Sequence, residues 1–216
     1  MARLKAIAAG IAVAALLATR AYAGPHQDCL ENPQFTQDLV RGVAACTAVI
    51  ENPAYPKNVI TQAYAQRALA HSLQGDYAKA IADYDRAIEM FPNFAIALNN
   101  RAWALFRSGQ PEKGLPDVEK SLRLNPFSGH SFDTRAHIRQ WMGDQAGALA
   151  DYERAIQLDG ERMIRLYQCG LGEAGLFKGA QDGKDSPDFR AALKQCVQRQ
   201  KCDPLPADEH CRPRTS

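Results

Sequence analysis

The sequence contains none of the motifs that usually mark an enzyme active site. No nucleophile stands beside a matching base, no phosphate-binding loop occurs, and the five histidines are scattered along the chain. The C-x-x-C pairs typical of structural zinc are missing as well. We therefore predict a protein that is not an enzyme and that uses no metal ion or cofactor.

A strong charge of either sign is also missing. The 216 residues carry a net charge of +2, and removing the three basic residues of the first 23 positions leaves −1. A nearly neutral chain offers no electrostatic footprint to nucleic acid. Beyond residue 18, no apolar stretch approaches the roughly 20 residues that span a membrane. We expect no nucleic-acid partner and no membrane insertion of the mature chain.

The N-terminus has the features of an export signal. Two basic residues precede an uncharged apolar run over residues 6–18, and residues 21–23 read Ala-Tyr-Ala, the small-x-small pattern of a cleavage site. The apolar run is too short to serve as a membrane anchor. The sequence thus predicts a signal peptide over residues 1–23, cleaved after Ala23, and a periplasmic or secreted protein.

The middle of the chain repeats with a period of 34 residues, over residues 61–93, 95–127 and 129–161. Small residues and turn glycines align between the segments: Ala68, Ala102 and Ala136, then Gly75, Gly109 and Gly143. Small side chains let two helices approach closely, and glycine adopts the left-handed conformation that ends a helix. The period predicts helix–turn–helix units that must stack to bury their apolar faces.

Two charged columns recur with the same period. Arginines fall on the first helices at positions 67, 101 and 135, and aspartates fall on the second helices at positions 83, 117 and 151. The arginines alone suggest an anion-binding ladder. Because each arginine has a matching acid, we predict instead an ion pair between the two helices of every unit, with the modest stability of an exposed pair, about 0–1 kcal/mol.

This pattern resembles the tetratricopeptide repeat. The resemblance implies an all-α helical solenoid with three helix–turn–helix repeats, over residues 61–94, 95–128 and 129–161. Residues 24–60 are interpreted as a degenerate N-terminal unit that caps the stack, because the stretch GVAACTAVIENP imitates a second helix of the repeat.

The resemblance also implies a binding surface, because first helices line a concave groove in this family. Both tryptophans of the sequence fall on the predicted groove, and Trp and Arg often dominate binding energy. The predicted groove residues are Asn99, Trp103, Phe106, Arg107, Asp133, His137, Gln140 and Trp141. The alternative is that Trp103 or Trp141 packs against a flanking helix or the C-terminal segment.

The C-terminal segment, residues 162–216, is similar over residues 164–193 to the first half of a peptidoglycan-binding-type module. The resemblance rests on Gln168, Leu171, Gly175, Phe177, Gly179, Asp182, Gly183, Pro187, Arg190, Ala191 and Leu193. This chain departs from the module at Asp185, Ser186 and Phe189, and the second half of the module is absent. Two interpretations follow: attachment to cell-wall glycan, or a helical hairpin that caps the end of the repeats.

All six cysteines lie outside the repeats, and an even count in an exported chain favours disulfides. We predict a Cys29–Cys46 bond in the N-terminal cap, a Cys169–Cys196 bond between the two C-terminal helices, and a Cys202–Cys211 bond beyond them.

Together these features predict an exported scaffold or adaptor that binds a protein or peptide partner in its groove. The alternative is a cell-envelope protein that binds peptidoglycan through its C-terminal segment.

Overall fold

The computed structural model describes residues 24–31, 38–199 and 201–205. Within these residues the chain is helical throughout: a short π-helix, Gln27–Glu31, precedes nine α-helices. Their bounds are α1 Leu39–Glu51, α2 Lys57–Leu73, α3 Tyr77–Met90, α4 Ala95–Arg107, α5 Pro111–Leu124, α6 Gly129–Trp141, α7 Gln145–Asp159, α8 Glu161–Glu173 and α9 Pro187–Val197. The predicted signal peptide lies outside the described residues.

The described helices include none with the length and apolar character needed to cross a membrane.

The three predicted repeats are present as the helix pairs α2–α3, α4–α5 and α6–α7. The turn glycine within each pair has a left-handed backbone, with φ of +78° at Gly75, +79° at Gly109 and +85° at Gly143. L-residues with side chains rarely adopt this conformation, so glycine ends the first helix at low cost. Asp76 and Asp144 then cap α3 and α7 by accepting a hydrogen bond from a backbone N–H of the first turn. The predicted all-α fold of helix–turn–helix repeats is confirmed.

The described part of the chain divides into two compact units, one that ends at Pro92 and one that begins at Asn93. In the first unit, α1 and α2 share a core that includes Val49, Tyr55 and Ala63. The disulfide between Cys29 and Cys46 belongs to the same core and joins the π-helix to α1. The predicted staple of the N-terminal cap is therefore present in the structure.

In the second unit, the hairpin formed by α8 and α9 packs on the third repeat. Tyr152 of α7, Tyr167 of α8 and Phe189 of α9 are fully buried in one hydrophobic cluster. Burying large aromatic side chains is among the main sources of folding free energy. This shared core supports the interpretation of the hairpin as a cap of α7; glycan attachment stays a prediction from the sequence.

The residues that carry the likeness to a peptidoglycan-binding-type module hold the loop between α8 and α9. The buried Gln168 side chain accepts a hydrogen bond from the Gly183 N–H and donates one to the Lys184 carbonyl. A Cβ on Gly183 would meet the Glu161 carbonyl oxygen at 2.8 Å, so a larger residue does not fit. Several of the shared motif residues therefore have a structural role in this chain.

The C-terminal disulfide differs from the prediction. Cys196 bonds to Cys202, so the predicted Cys169–Cys196 and Cys202–Cys211 bonds are wrong. The physical reason is local: α9 ends at Val197, and the chain turns back so that the Cα atoms of Cys196 and Cys202 lie 5.2 Å apart. Cys169 is also disulfide-bonded. Cys211 lies outside the described residues.

The predicted interhelical ion pairs are present in all three repeats: Arg67–Asp83, Arg101–Asp117 and Arg135–Asp151. Each arginine binds both carboxylate oxygens, as in the 2.8 Å and 2.7 Å contacts between Arg135 and Asp151. The side chains are more buried than the prediction assumed, since only 5% of the Asp151 side chain is exposed. Removing one partner of such a pair costs more than removing one partner of an exposed pair.

Candidate functional site

The predicted groove residues of α4 and α6 meet in an aromatic cluster. The Trp103 ring lies 5.3 Å from the Phe106 ring and 5.3 Å from the His137 ring, and Phe106 also contacts Trp141. The Arg107 guanidinium lies 5.5 Å from the centre of the Trp103 ring, a cation–π contact. The structure therefore brings together five of the eight predicted residues. We call this surface of α4 and α6 the α4–α6 face.

Four of the predicted residues do not present an open surface. They are buried, with between 3% and 8% of each residue exposed: Asn99, Asp133, His137 and Gln140. Trp141 is 51% exposed, whereas Trp103 and Phe106 are half-buried. These four residues are thus packed among other residues of the chain, and their part in a partner-binding groove stays a prediction.

The cover over α6 is residues 201–205, which we call the C-terminal strap. The side-chain amide of Gln140 donates hydrogen bonds to the backbone carbonyls of Cys202 at 2.7 Å, and of Cys196 and Arg199 at 3.3 Å each. Its oxygen accepts a hydrogen bond from the hydroxyl of Tyr152. One buried side chain thereby holds the end of α9 and the strap against α6.

His137 makes the second contact with the strap. Its Nε2–H donates to Oδ1 of Asp203 at 2.9 Å, and its Nδ1–H donates to the backbone carbonyl of Asp133 at 2.8 Å. Burial lowers the pKa of His137, but the carboxylates of Asp133 and Asp203 outweigh this effect and raise it from 6.5 to about 9. His137 is therefore a buried cation at neutral pH.

The pKa values of the two carboxyl groups beside His137 are shifted in opposite directions. Burial raises the pKa of Asp133, whose Oδ1 accepts a 2.5 Å hydrogen bond from the Tyr167 hydroxyl. Burial also acts to raise the pKa of Asp203, but His137 outweighs it and the pKa is lowered. Asp203 thus stays ionised and forms an ion pair with His137 that joins the strap to α6.

A glycine on α8 makes room for the strap. A Cβ on Gly170 would lie 2.3 Å from the Pro204 carbonyl oxygen and 2.6 Å from the Leu205 carbonyl carbon. No side chain fits there without moving the strap. Neither Gly170 nor Asp203 was predicted from the sequence; glycine inside an amphipathic helix was the one available signal for a close backbone approach.

An open cavity of about 450 Å³ lies beside the strap on the α4–α6 face. Its wall on α4 includes Ile96, Asn99 and Trp103; α6 contributes Asp133, and the strap contributes Leu205. The lining combines amide, hydroxyl and carboxylate groups with the Trp103 and Ile96 side chains, and such mixed linings are typical of sites that fix and orient a ligand. The predicted residues Asn99, Trp103 and Asp133 therefore lie at one cavity.

A second, smaller cavity of about 180 Å³ lies at the other end of the strap. It is lined by Phe106 and Trp141 of the aromatic cluster and by Lys201 and Asp203 of the strap. Across the described residues, no group of three or more His, Cys, Asp or Glu side chains has the geometry of a metal site.

Comparisons with known proteins agree with this architecture. Two family models of the tetratricopeptide repeat match the chain, one over residues 61–94 and the other over residues 83–115. The chain is 29% identical over 84 residues to small glutamine-rich tetratricopeptide repeat-containing protein 2 of Mycosarcoma maydis, which covers 39% of this chain and 24% of that protein. It is 35% identical over 85 residues to the heat-shock protein cognate co-chaperone sgt12 of Aspergillus fumigatus, with 39% and 25% covered.

The chain thus spans about a quarter of the length of both relatives. Among solved structures, MamA is similar with a TM-score of 0.55 and 21% sequence identity, covering 75% of this chain and 91% of MamA. At this identity the likeness concerns the fold alone. The matched repeats, the turn glycines and the paired helices agree, and the chain is a tetratricopeptide repeat protein.

Proposed function

We propose that this protein is an exported scaffold that binds a peptide segment of a partner protein on the α4–α6 face. The observation that carries the proposal is the 450 Å³ cavity walled by Trp103 and Ile96. Partner surfaces are enriched in aromatic side chains because these bury a large area at little entropic cost. The repeat family and its co-chaperone relatives support a protein-binding scaffold rather than an enzyme.

Export is supported by the predicted signal peptide and by the cysteines. Within the described residues no cysteine is free, and disulfides persist in oxidising compartments such as the periplasm or the extracellular space. A periplasmic or secreted location therefore remains part of the proposal. Attachment to cell-wall glycan remains a sequence prediction, tested by incubating the mature protein with purified sacculi.

The partner's segment is expected to contact the cavity through both apolar and polar groups. Ile96 is 66% exposed at the rim, so it offers apolar area without rearrangement. Asn99 is 92% buried by its neighbours, and its Oδ1 has no hydrogen-bond partner. A buried acceptor without a partner costs free energy, which a donor from a ligand or water recovers.

The test is crosslinking in the native envelope with a photoreactive amino acid at position 96, on the rim of the cavity. We expect one partner protein to be captured by the wild type and lost in Trp103→Ala, with a smaller loss in Trp141→Ala. The matched control is Phe127→Ala, because Phe127 is 72% exposed and does not line the cavity. If Trp103→Ala captures the partner as well as wild type while remaining helical, this face is not the binding site.

A further inference from the structure

The C-terminal strap lies on the α4–α6 face in the manner of a bound peptide. Gln140 donates hydrogen bonds to its backbone, His137 pairs with its carboxylate, and Leu205 forms part of the wall of the larger cavity. We propose that the strap is an intramolecular ligand that occupies part of the partner site. We further propose that the partner's peptide carries an acidic residue followed two positions later by an apolar one, as in Asp203-Pro204-Leu205.

This inference rests on the proposed function, and it specifies the chemistry of the partner. Gln140 donates a hydrogen bond to a backbone carbonyl of the strap, so this contact does not depend on the side chains of the bound segment. The contact of His137 is selective, since a buried imidazolium requires an anion. The site therefore selects peptides with an acidic side chain beside His137, and the larger cavity next to it favours an apolar side chain in the same peptide.

Titratable groups surround His137 on three elements. Asp133 lies on α6, Tyr152 of α7 packs edge-on against the imidazole at 5.1 Å, and Asp203 comes from the strap. Asp133 and Tyr152 belong to the folded body and remain when the strap leaves. His137 then loses one of its two neighbouring carboxylates and needs another, and an acidic residue of a partner peptide supplies it.

The strap has the features of a replaceable occupant. The Asp203 side chain is 46% exposed, and Lys201 is exposed as well. Cavities adjoin both ends of the strap: Asp203 lines the smaller one and Leu205 the larger one. The face is therefore wider than the strap, and a longer peptide makes all of the strap's contacts and fills both cavities.

A tethered occupant weakens the binding of any free competitor. The Cys196–Cys202 disulfide keeps the strap beside its site, which gives it an effective concentration in the millimolar range. The apparent dissociation constant of the competitor equals its intrinsic value divided by the fraction of molecules in which the site is open. Displacing the strap should therefore increase the affinity for a free peptide with the same chemistry.

Gly170 lies under the strap, and a peptide that follows the path of the strap passes over it too. In Gly170→Ala the new methyl group collides with the backbone of Pro204 and Leu205. Gly172→Ala is the matched control on the same helix, because its Cβ meets its nearest atom, Nε2 of Gln181, at an ordinary 3.6 Å. Both changes replace glycine by alanine inside α8, so they gain the same helix propensity.

The probe is the acetylated and amidated pentapeptide Lys-Ser-Asp-Pro-Leu, the strap with serine in place of Cys202. Binding to the mature full-length protein is followed by NMR of the indole N–H groups of Trp103 and Trp141, which line the two cavities. We expect Asp203→Asn combined with Leu205→Ala, which weakens the strap itself, to bind the probe at least about tenfold more tightly than wild type. Adding Gly170→Ala to this variant should abolish the gain, because the methyl group collides with the probe as it does with the strap, and adding Gly172→Ala should leave the gain unchanged. A probe with Asn in place of Asp should lose this gain.

A second variant covers the possibility that the double variant does not fold. Leu205→Ala alone removes the apolar side chain of the strap from the larger cavity and should also increase probe affinity. The inference is overturned if both opened proteins stay helical yet bind the probe no better than wild type, or if the Asn probe binds equally well. Failure of the crosslinking test with normal probe binding would overturn the proposed function alone, and the reverse result would overturn this inference alone.

Discussion

His137 and Asp203 form an ion pair between α6 and the C-terminal strap, with 2.9 Å between Nε2 and Oδ1. The pair joins residues 66 positions apart in the sequence. Its histidine is 3% exposed and sits between two carboxylates, so its charge is stabilised only in the folded protein. The protonation of His137 is thereby linked to the stability of the second unit.

The first prediction concerns the effect of pH on stability. The folded pKa of His137 is raised to about 9, so its contribution is fully present below pH 6.5 and is lost as pH rises through 9. The shift corresponds to about 3 kcal/mol of unfolding free energy between these limits. Urea unfolding followed by tryptophan fluorescence reports on this unit, because both tryptophans lie in residues 93–216.

The control for this prediction is His137→Gln, which has no titrating group at that position. We expect the variant to be less stable than wild type at pH 6 and to lose little further stability up to pH 9.5. Asp203→Asn should lower the pH at which the wild-type loss occurs, because one of the two supporting carboxylates is gone. Parallel loss in wild type and His137→Gln would show that another group causes the effect.

The second prediction concerns the donor that Gln140 provides to the strap. Gln140→Glu keeps the shape of the side chain but replaces the N–H donors by an oxygen facing three carbonyl oxygens. We expect a loss of about 3 kcal/mol at pH 7, because the buried carboxylate has no donor at that position. Trypsin should also cleave faster after Lys201, the exposed residue of the released strap.

The control is Gln145→Glu, the same chemical change at an exposed position. Gln145 donates one weak hydrogen bond of 3.4 Å to the Gln198 carbonyl. Loss of this hydrogen bond should change the free energy of unfolding by less than about 0.5 kcal/mol. A similar cost in both variants would mean that Gln140 does not hold the strap.

The repeats could be predicted from the sequence because their determinants are local. The turn glycines, the arginine and aspartate columns and the small residues each recur at 34 residues, and each acts within one helix pair. A period repeated three times is hard to produce by chance. The same period assigned Trp103, Phe106 and Trp141 to one face of the repeats, and their rings are in contact in the structure.

The covered part of that face could not be predicted in the same way. Periodicity assigns a residue to a helix face but gives no information about which distant segment packs there. Asp203 and Leu205 lie in a segment that does not repeat, so no period predicts their positions. The place of this segment beside α6 depends on the fold of the whole C-terminal hairpin. For the same reason, no pattern in the sequence favoured Cys202 as the disulfide partner of Cys196.

The third prediction is the complete disulfide map. Cys29–Cys46 and Cys196–Cys202 are bonded, and Cys169 is bonded too, so the count of six cysteines leaves Cys211 as its partner. Trypsin leaves Cys202 and Cys211 in one peptide, so a second protease that cuts after acidic residues must separate them. Mass spectrometry of non-reduced peptides should then find Cys169 linked to Cys211. A Cys169–Cys196 species as the main product would contradict the pairing at the end of α9.

The fourth prediction uses two bidentate ion pairs that differ in burial. Asp151 binds Arg135 through both oxygens and also contacts Arg139, and its side chain is 5% exposed. Asp185 binds Arg190 with the same bidentate geometry, but its side chain is 45% exposed. The geometry is matched, so the comparison isolates the effect of solvent.

Asp151→Ala leaves two partly buried guanidinium groups without their shared carboxylate. We expect it to lower the free energy of unfolding by about 3 kcal/mol, because a charge that loses its partner in a buried site is poorly solvated. Asp185→Ala should cost at most about 1 kcal/mol, because water replaces the lost contact and screens the charge. Urea unfolding of both variants at pH 7 measures the difference. Equal costs would mean that the Arg–Asp column of the repeats contributes no more than a surface pair, whatever its burial.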